Sequence, residues 1–231
     1  MKKNFLISTG GSGGHVIPAT TLSEHLSKNF NIIISSDKRG LKYINNKIYE
    51  TKIIDTPRLK NILFFPIYFF LIIFLTLKSI FLLKNQKIKK VFSTGGYMSL
   101  PVVLAARLLK LNIYLIEPNY ILGRANRFFL KSCKKIFCYS LNVKNFPKKF
   151  KEKIILINPL VRKNIYDLRL NLIKNKKFTI LIVGGSQGAI FFDNNLKNSI
   201  LNISKKNLIK VIHQTSENNI LPLINFYTKN K

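Results

Sequence analysis

The sequence predicts an α/β protein: a doubly wound parallel sheet, followed by the start of a second, smaller unit of the same kind. Three observations carry that expectation. Short apolar strands alternate with helical runs from Asn4 to Tyr139, the pattern of a parallel sheet covered on both faces. Three strands run straight into glycine-dense turns that open helices: Phe5-Leu-Ile-Ser-Thr-Gly-Gly-Ser-Gly-Gly-His15, Val91-Phe-Ser-Thr-Gly-Gly-Tyr97 and Thr179-Ile-Leu-Ile-Val-Gly-Gly-Ser-Gln-Gly-Ala189. The alternation breaks at Asn158-Pro159 and a polar run from Lys163 to Lys177 before a fresh strand begins at Phe178.

Taken in order, the apolar periodicity predicts strand 4–9, helix 15–28, strand 31–36, strand 52–54, helix 62–83, strand 90–94, helix 101–110, strand 112–117, helix 122–132 and strand 135–139. The second unit reads as strand 178–183, helix 188–201 and strand 208–213. A boundary is expected near residue 160, giving a domain over 1–160 and the beginning of another over 161–231. Two strands are fewer than the five or six of a doubly wound sheet, so the second unit reads as partial.

The segment Ile62 to Leu83 needs its own decision, because Ile62-Leu-Phe-Phe-Pro-Ile-Tyr-Phe-Phe-Leu-Ile-Ile-Phe-Leu75 carries no charge and the run nearly reaches spanning length. Pro66 and Lys78 argue against a span, as do the strands expected on either side, which belong to one sheet. The expectation is a crossover helix whose outer face rests on a membrane surface beside Arg58, Lys60, Lys84 and Lys87.

Composition sets the class of partner. The chain has 231 residues, 47% of them hydrophobic, enough for a substantial core. Its 39 basic and 9 acidic residues give a net charge of +30. Charge of this kind speaks to association rather than fold. The excess is mostly Lys among frequent Ile and Asn, which reads as codon drift plus an anionic partner surface, with anionic lipid preferred to nucleic acid. Cys133 and Cys138 have no neighbouring His or second pair, so they read as reduced, buried thiols rather than a zinc site or a disulfide. The apolar stretch after Met1-Lys-Lys is too short for a secretory signal, so a cytoplasmic protein is expected.

Glycine turns that present bare backbone N–H groups at helix N-termini suit phosphate. The first turn fails the dinucleotide fingerprint, since counting from Gly11 the third glycine position holds Val16. Asp37 at the end of the second strand keeps a nicotinamide-dependent oxidoreductase open as an alternative, and a basic membrane- or nucleic-acid-binding module is another. His15, entering the first helix, has the chemistry of a general base near neutrality.

Six motifs then occur in order: Gly10-Gly-Ser-Gly-Gly-His-Val-Ile-Pro-Ala19, Thr94-Gly-Gly-Tyr-Met-Ser-Leu-Pro101, Glu117-Pro-Asn119, Asn158-Pro-Leu-Val-Arg162, Gly184-Gly-Ser-Gln-Gly-Ala189 and His213-Gln214. Together they resemble the MurG family, UDP-N-acetylglucosamine transferases acting on undecaprenyl-diphospho-muramoyl-pentapeptide in peptidoglycan synthesis. The resemblance implies a GT-B fold of two Rossmann-like domains, an acceptor- and membrane-facing first domain and a nucleotide-sugar-binding second. It implies inverting transfer of GlcNAc from UDP-GlcNAc to the 4-hydroxyl of MurNAc in lipid I, giving lipid II, without metal or other cofactor and without nucleic acid, on the cytoplasmic face of the inner membrane. Another nucleotide-sugar-dependent lipid glycosyltransferase is the alternative within that class.

Carried over by motif, Ser12, Gly13, Gly14, Asn119, Arg162 and Ser186 would touch the donor, His15 would be catalytic, and Gln187, Gln214, Gly95 and Gly96 are weaker candidates. Pro118 stands where the family often has Gln, and the Asn158-to-Arg162 motif is one residue longer than the usual spacing.

Overall fold

The computed structural model describes residues 2–58, 61–162, 165 and 178–230, apart from the side chains of 62 and 185–189. The chain divides into two compact units, Met1–Leu168 and Arg169–Lys231. The polar run expected to follow the boundary falls mostly outside the described residues.

In the first unit the elements are β1 (Lys3–Ser8), α1 (Gly13–Leu26), β2 (Phe30–Ser36), β3 (Glu50–Ile53), α2 (Phe65–Asn85), β4 (Ile88–Ser93), α3 (Leu100–Leu108), β5 (Asn112–Glu117), α4 (Arg124–Phe129), β6 (Lys135–Cys138) and β7 (Ile154–Leu156). The seven strands form one sheet in the order β3-β2-β1-β4-β5-β6-β7, and every pairing is parallel. The order reverses between β1 and β4, where loops leaving the carboxyl ends diverge and open a crevice.

β1 shows how side chains sort between the two faces, since successive residues of a strand point to opposite sides. Leu6 joins Leu75, Leu83, Val91, Val102 and Leu115 in the larger core beneath α2 and α3. Phe5 and Ile7 pack instead with Ala19 of α1 and Phe92. On that second side an aromatic ladder crosses five adjacent strands: Phe30–Phe5 at 4.3 Å, Phe5–Phe92 at 6.0 Å, Phe92–Tyr114 at 5.1 Å and Tyr114–Phe137 at 6.2 Å between ring centroids. Spacings of this size are those of attractive ring pairs.

The expected helix at 62–83 forms as a 3₁₀ turn, Ile62–Phe64, followed by α2. Pro66 lies in the first turn of α2, where a missing N–H leaves no intrahelical bond unmade. α2 is long and apolar enough to cross a membrane, but β3 before it and β4 after it lie in the same sheet, so it lies along that sheet. Its buried stripe is Leu75, Thr76, Ser79 and Leu83. The hydroxyls of Thr76 and Ser79 donate back to the carbonyls of Ile72 and Leu75, which satisfies them inside a dry interface. The usual amphipathic arrangement is thus inverted, with Phe65, Ile67, Phe69, Phe70, Phe74 and Phe81 all more than half exposed.

The second unit contains β8 (Phe178–Ile182), α5 (Gly185–Ser204), β9 (Ile209–His213) and α6 (Ile220–Lys229), with β8 and β9 parallel. Neither β7 nor α6 is expected from the sequence. β7 has three residues, too few for a period to register, and α6 follows a 3₁₀ turn at Glu217–Asn219.

Candidate active site at the topological switch point

The floor of the crevice is a layer of small hydroxyl residues at the strand carboxyl ends. Ser8, Thr9, Ser35, Ser36, Ser93 and Thr94 are all buried. Thr94 Oγ1 donates to Thr9 Oγ1 at 2.8 Å, and the Thr94 N–H donates to the Ser8 carbonyl at 3.1 Å, tying the ends of β1 and β4 together.

Above the floor lie two glycine turns. Gly10 and Gly11 have φ of 148° and 74°, and Gly95 and Gly96 have 81° and 79°, conformations that favour glycine. A Cβ on Gly10 would stand 2.5 Å from Asp37 Oδ1, so space as well as backbone shape demands glycine there. Gly13 and Gly14 differ, because a Cβ on Gly13 would make only ordinary contact with the Tyr43 ring at 3.5 Å, and one on Gly14 only with Ser12 Oγ at 3.7 Å. Ser12 is the N-cap residue of α1, yet its side chain makes no capping bond. The Ser12 carbonyl accepts the N–H of His15 and of Val16. The first-turn N–H groups of a helix have no intrahelical acceptor, so those of Gly13 and Gly14, beside the uncommitted Ser12 hydroxyl, make a rim of donors whose chemistry suits an anion.

His15 reaches from α1 across to the second turn, where Nδ1 lies 2.8 Å from the Thr94 carbonyl. A carbonyl only accepts, so Nδ1 carries the proton and Nε2 of the neutral ring is the basic nitrogen. Nε2 lies beside Gly96, whose absent Cβ would be 3.6 Å away. The structure therefore brings His15, the Ser12–Gly14 rim and Gly95–Gly96 together.

Two buried carboxylates, neither among the candidate site residues carried over by motif, hold the loops of the crevice. Asp37, 1% exposed, accepts the N–H of Gly11 at 2.7 Å and of Gly40 at 3.0 Å on one oxygen, and Arg39 Nε and Nη2 at 3.0 and 2.7 Å on the other. Both oxygens are spent on the protein's own loops, which removes the support that Asp37 lent to the nicotinamide-dependent alternative. Glu117, also 1% exposed, accepts the backbone and side-chain nitrogens of Asn119 at 3.1 and 2.9 Å, the Gly123 N–H at 2.7 Å and Asn126 Nδ2 at 3.0 Å. Asn119 is exposed and does not cap α4, whose N-cap is Gly123. With Nδ2 held by Glu117, it presents its carbonyl oxygen. The signal for both carboxylates was present: an acid ending an apolar strand beside glycines has backbone N–H groups within reach.

Arg162 is exposed, and its described electrostatic neighbour is Tyr49. Burial, then the hydrogen bond to Glu24, raises the Tyr49 hydroxyl well above its ordinary range, and Arg162 opposes that rise. Nothing described joins Arg162 to the glycine turns.

In the second unit, Ser186 and Gln187 fall in the first turn of α5, after β8, with side chains outside the described residues. Gln214 is exposed just beyond β9, its N–H bonded to the Ile182 carbonyl at 2.9 Å. All three candidates thus sit at the carboxyl end of the β8–β9 pair. Behind them Asp193 accepts from Thr215 Oγ1 at 2.5 Å and Asn219 Nδ2 at 2.9 Å. His213 Nε2 lies 3.1 Å from Asp193 Oδ1, off the line of a directed hydrogen bond. Burial alone would raise the Asp193 carboxyl, but these two hydrogen bonds and His213 outweigh it and hold it below its ordinary value.

Cys133 and Cys138 are buried and free. Burial raises both thiols, and with the Glu117 charge added Cys138 is pushed up to about 12. Among the described residues no cluster of His, Cys, Asp and Glu could hold a metal ion.

The profile of the glycosyltransferase family 28 N-terminal domain matches residues 5–138, from β1 through β6 and so across both glycine turns. The chain belongs to glycosyltransferase family 28. A family relative from Pelagibacter ubique, named UDP-N-acetylglucosamine--N-acetylmuramyl-(pentapeptide) pyrophosphoryl-undecaprenol N-acetylglucosamine transferase, is 50% identical over 95% of the chain, and the match covers 62% of that relative. A protein of the same name from Rickettsia canadensis is 37% identical over 99% of the chain and 66% of its own length. The chain therefore spans just under two thirds of these family 28 relatives. Among solved structures, Acinetobacter baumannii MurG aligns with a TM-score of 0.74 at 23% identity over 99% of the chain and 65% of that protein. A UDP-GlcNAc 2-epimerase from Neisseria meningitidis, bound to UDP-GlcNAc, aligns with a TM-score of 0.59 at 15% identity over 99% of the chain and 70% of its own length. These likenesses place the family 28 chain in the GT-B fold.

Proposed function

We propose that this chain is the acceptor-side portion, with the opening of the donor side, of an inverting transferase that moves GlcNAc from UDP-GlcNAc to the 4-hydroxyl of MurNAc in undecaprenyl-diphospho-MurNAc-pentapeptide. The observation that carries the reading is the His15–Thr94 hydrogen bond, which fixes a basic Nε2 between two glycine turns.

In this reading His15 Nε2 accepts the proton of the acceptor hydroxyl as its oxygen attacks the anomeric carbon, and the bond from that carbon to the UDP oxygen breaks with inversion. A positioned base of this kind is worth about 10²–10⁴ in rate. Negative charge develops on the departing diphosphate, and the N–H groups and positive end of an oriented helix stabilise it. Ser12, Gly13 and Gly14 suit that purpose in the first unit. Ser186, Gln187 and Gln214, taken within the second unit alone, are its donor-side candidates. Asn119 offers its carbonyl oxygen to a sugar hydroxyl, and Arg162 offers a cationic fork. The reaction as drawn uses no cofactor.

The outward Phe and Ile side chains of α2 support a peripheral site on the cytoplasmic face of the inner membrane. Burying such a side chain is worth about 1.5–3 kcal/mol, and anionic lipid adds about 1 kcal/mol per nearby Lys or Arg. The net charge of +30 suits that surface, with no nucleic acid partner.

The decisive experiment incubates the chain, alone and as a chimera carrying the segment of the Pelagibacter relative that the match leaves uncovered, with labelled UDP-GlcNAc and a lipid I analogue. Transfer of label to lipid is expected from the chimera. Tight NAD binding or salt-sensitive RNA binding, with no transfer from either protein, would refute the reading.

A further inference from the structure

The apolar surface of α2 is not uniform. Beside the exposed ridge of Phe70, Phe74 and Phe81 the structure has two hollows that share Phe69 and Ile72. The inner hollow, about 220 Å³, lies between α2 and the loop after β3, lined by Phe65, Tyr68, Tyr97 and Leu100. The outer, about 450 Å³, continues between α2 and α3 past Leu104 to Leu108 and Arg107. Through that shared wall they form an apolar track, and Tyr97, which directly follows Gly96, lines its inner part.

The mouth of that track is cationic. Arg39 is anchored on buried Asp37, its Nη2 also donates to the Tyr97 hydroxyl, and its guanidinium carbon lies 5.2 Å from the centre of the Tyr97 ring. A Cβ on Gly11 would be 3.6 Å from Nη2, so the guanidinium stands directly over the first glycine turn. Half of the Arg39 side chain is exposed, and Arg58 is a second cation near enough to act on Tyr97 electrostatically. With Nε and Nη2 spent on Asp37 and Tyr97, Nη1 is the nitrogen left to donate to a phosphate oxygen.

We propose that this track is the seat of the acceptor's polyprenyl chain: Arg39 holds the diphosphate over Gly11, and the first isoprene units pass Tyr97 into the hollow between α2 and α3. The inference rests on the lipid-acceptor reading above. A bilayer surface alone would use the exposed ridge and would need neither a hollow nor an anchored guanidinium at its inner end. The track thereby assigns the head-proximal part of the lipid to protein and leaves the remaining chain to the membrane.

Farnesyl diphosphate and inorganic diphosphate, titrated into the 231-residue chain without vesicles and followed by calorimetry, are the probes. Farnesyl diphosphate is expected to bind at least tenfold more tightly than inorganic diphosphate. Ile72→Trp, which fills the hollow, should remove that advantage and leave inorganic diphosphate binding unchanged. Arg39→Gln should weaken both ligands, and Arg39→Lys should restore part of each. Phe70→Ser with Phe74→Ser should release the protein from anionic vesicles with little effect on farnesyl diphosphate. Equal binding of the two diphosphates would overturn the proposal, as would indifference to Ile72→Trp in a variant whose circular dichroism and melting match the parent. Loss of farnesyl binding in the Phe70/Phe74 variant would assign the effect to adsorption on the ridge and equally reject the track. The transfer assay is read separately, so sugar transfer without farnesyl selectivity would sink the track and leave the proposed reaction standing.

Discussion

Gly10–Gly11 and Gly13–Gly14 are four near-identical letters with two different causes. The first pair sits at positive φ, and a side chain on either would collide with Asp37 or Met98. The second pair occupies the first turn of α1 with ordinary backbone angles and room for a Cβ. Fold stability accounts for the first pair. It does not account for the second, where glycine in a helix forgoes up to about 1 kcal/mol relative to Ala. In the proposed function, what a side chain at Gly13 or Gly14 would obstruct is the approach of the donor diphosphate to the N–H groups beneath it. Gly95 and Gly96 belong with the first pair, at φ near 80°.

That contrast can be tested from its largest effect down. His15→Ala, which removes the group the rim surrounds, should lower transfer by about 10²–10⁴ in the chimera, while its lost bond to Thr94 costs only about 1 kcal/mol. Retention of most activity would reassign the base. Gly96→Ala should destabilise the first unit by more than the 1–2 kcal/mol of a left-handed residue, because Met98 Sδ occupies the space of the new methyl. A melting temperature unmoved by this change would break the distinction from the structural side. Gly14→Ala should do the converse, leaving melting unchanged or higher while weakening UDP-GlcNAc use in the steady-state KM. The smallest effect concerns acid. The Asp193 carboxyl is held below its ordinary value in the folded chain, so its contribution is present above the ordinary aspartate pKa of about 3.9 and is lost as the pH falls through the lowered one. Asp193→Asn should flatten the loss of second-unit stability below about pH 4, read by fluorescence or hydrogen exchange.

A second contrast lies along α2. Its buried stripe contains Thr76 and Ser79, and its exposed side carries the phenylalanines. A sequence window sees only that the whole segment is apolar. Which side faced the protein depended on α3 and the sheet arriving to cover Leu75, Thr76, Ser79 and Leu83, and no periodicity within the segment could reveal it.

The alternation of apolar strands and helical runs was enough to determine the parallel α/β sheet, because that pattern depends on period and composition that each segment carries itself. The same is true of the glycine turns and of the motif order that resembles the family. β7 was not legible: three residues carry no period, and they became a strand only because β6 offered an open edge. The partners of Glu117 lie within nine residues of it, whereas the role of Asp37 was decided partly by tertiary structure, since Gly11, 26 residues away, brings its N–H to the carboxylate. The same holds for His15, whose residue type announced a base but whose proton was assigned by a carbonyl 79 residues away. Local sequence sets what a segment can become, while the hydrogen-bond partner that fixes a side chain's chemistry exists only once distant strands lie side by side.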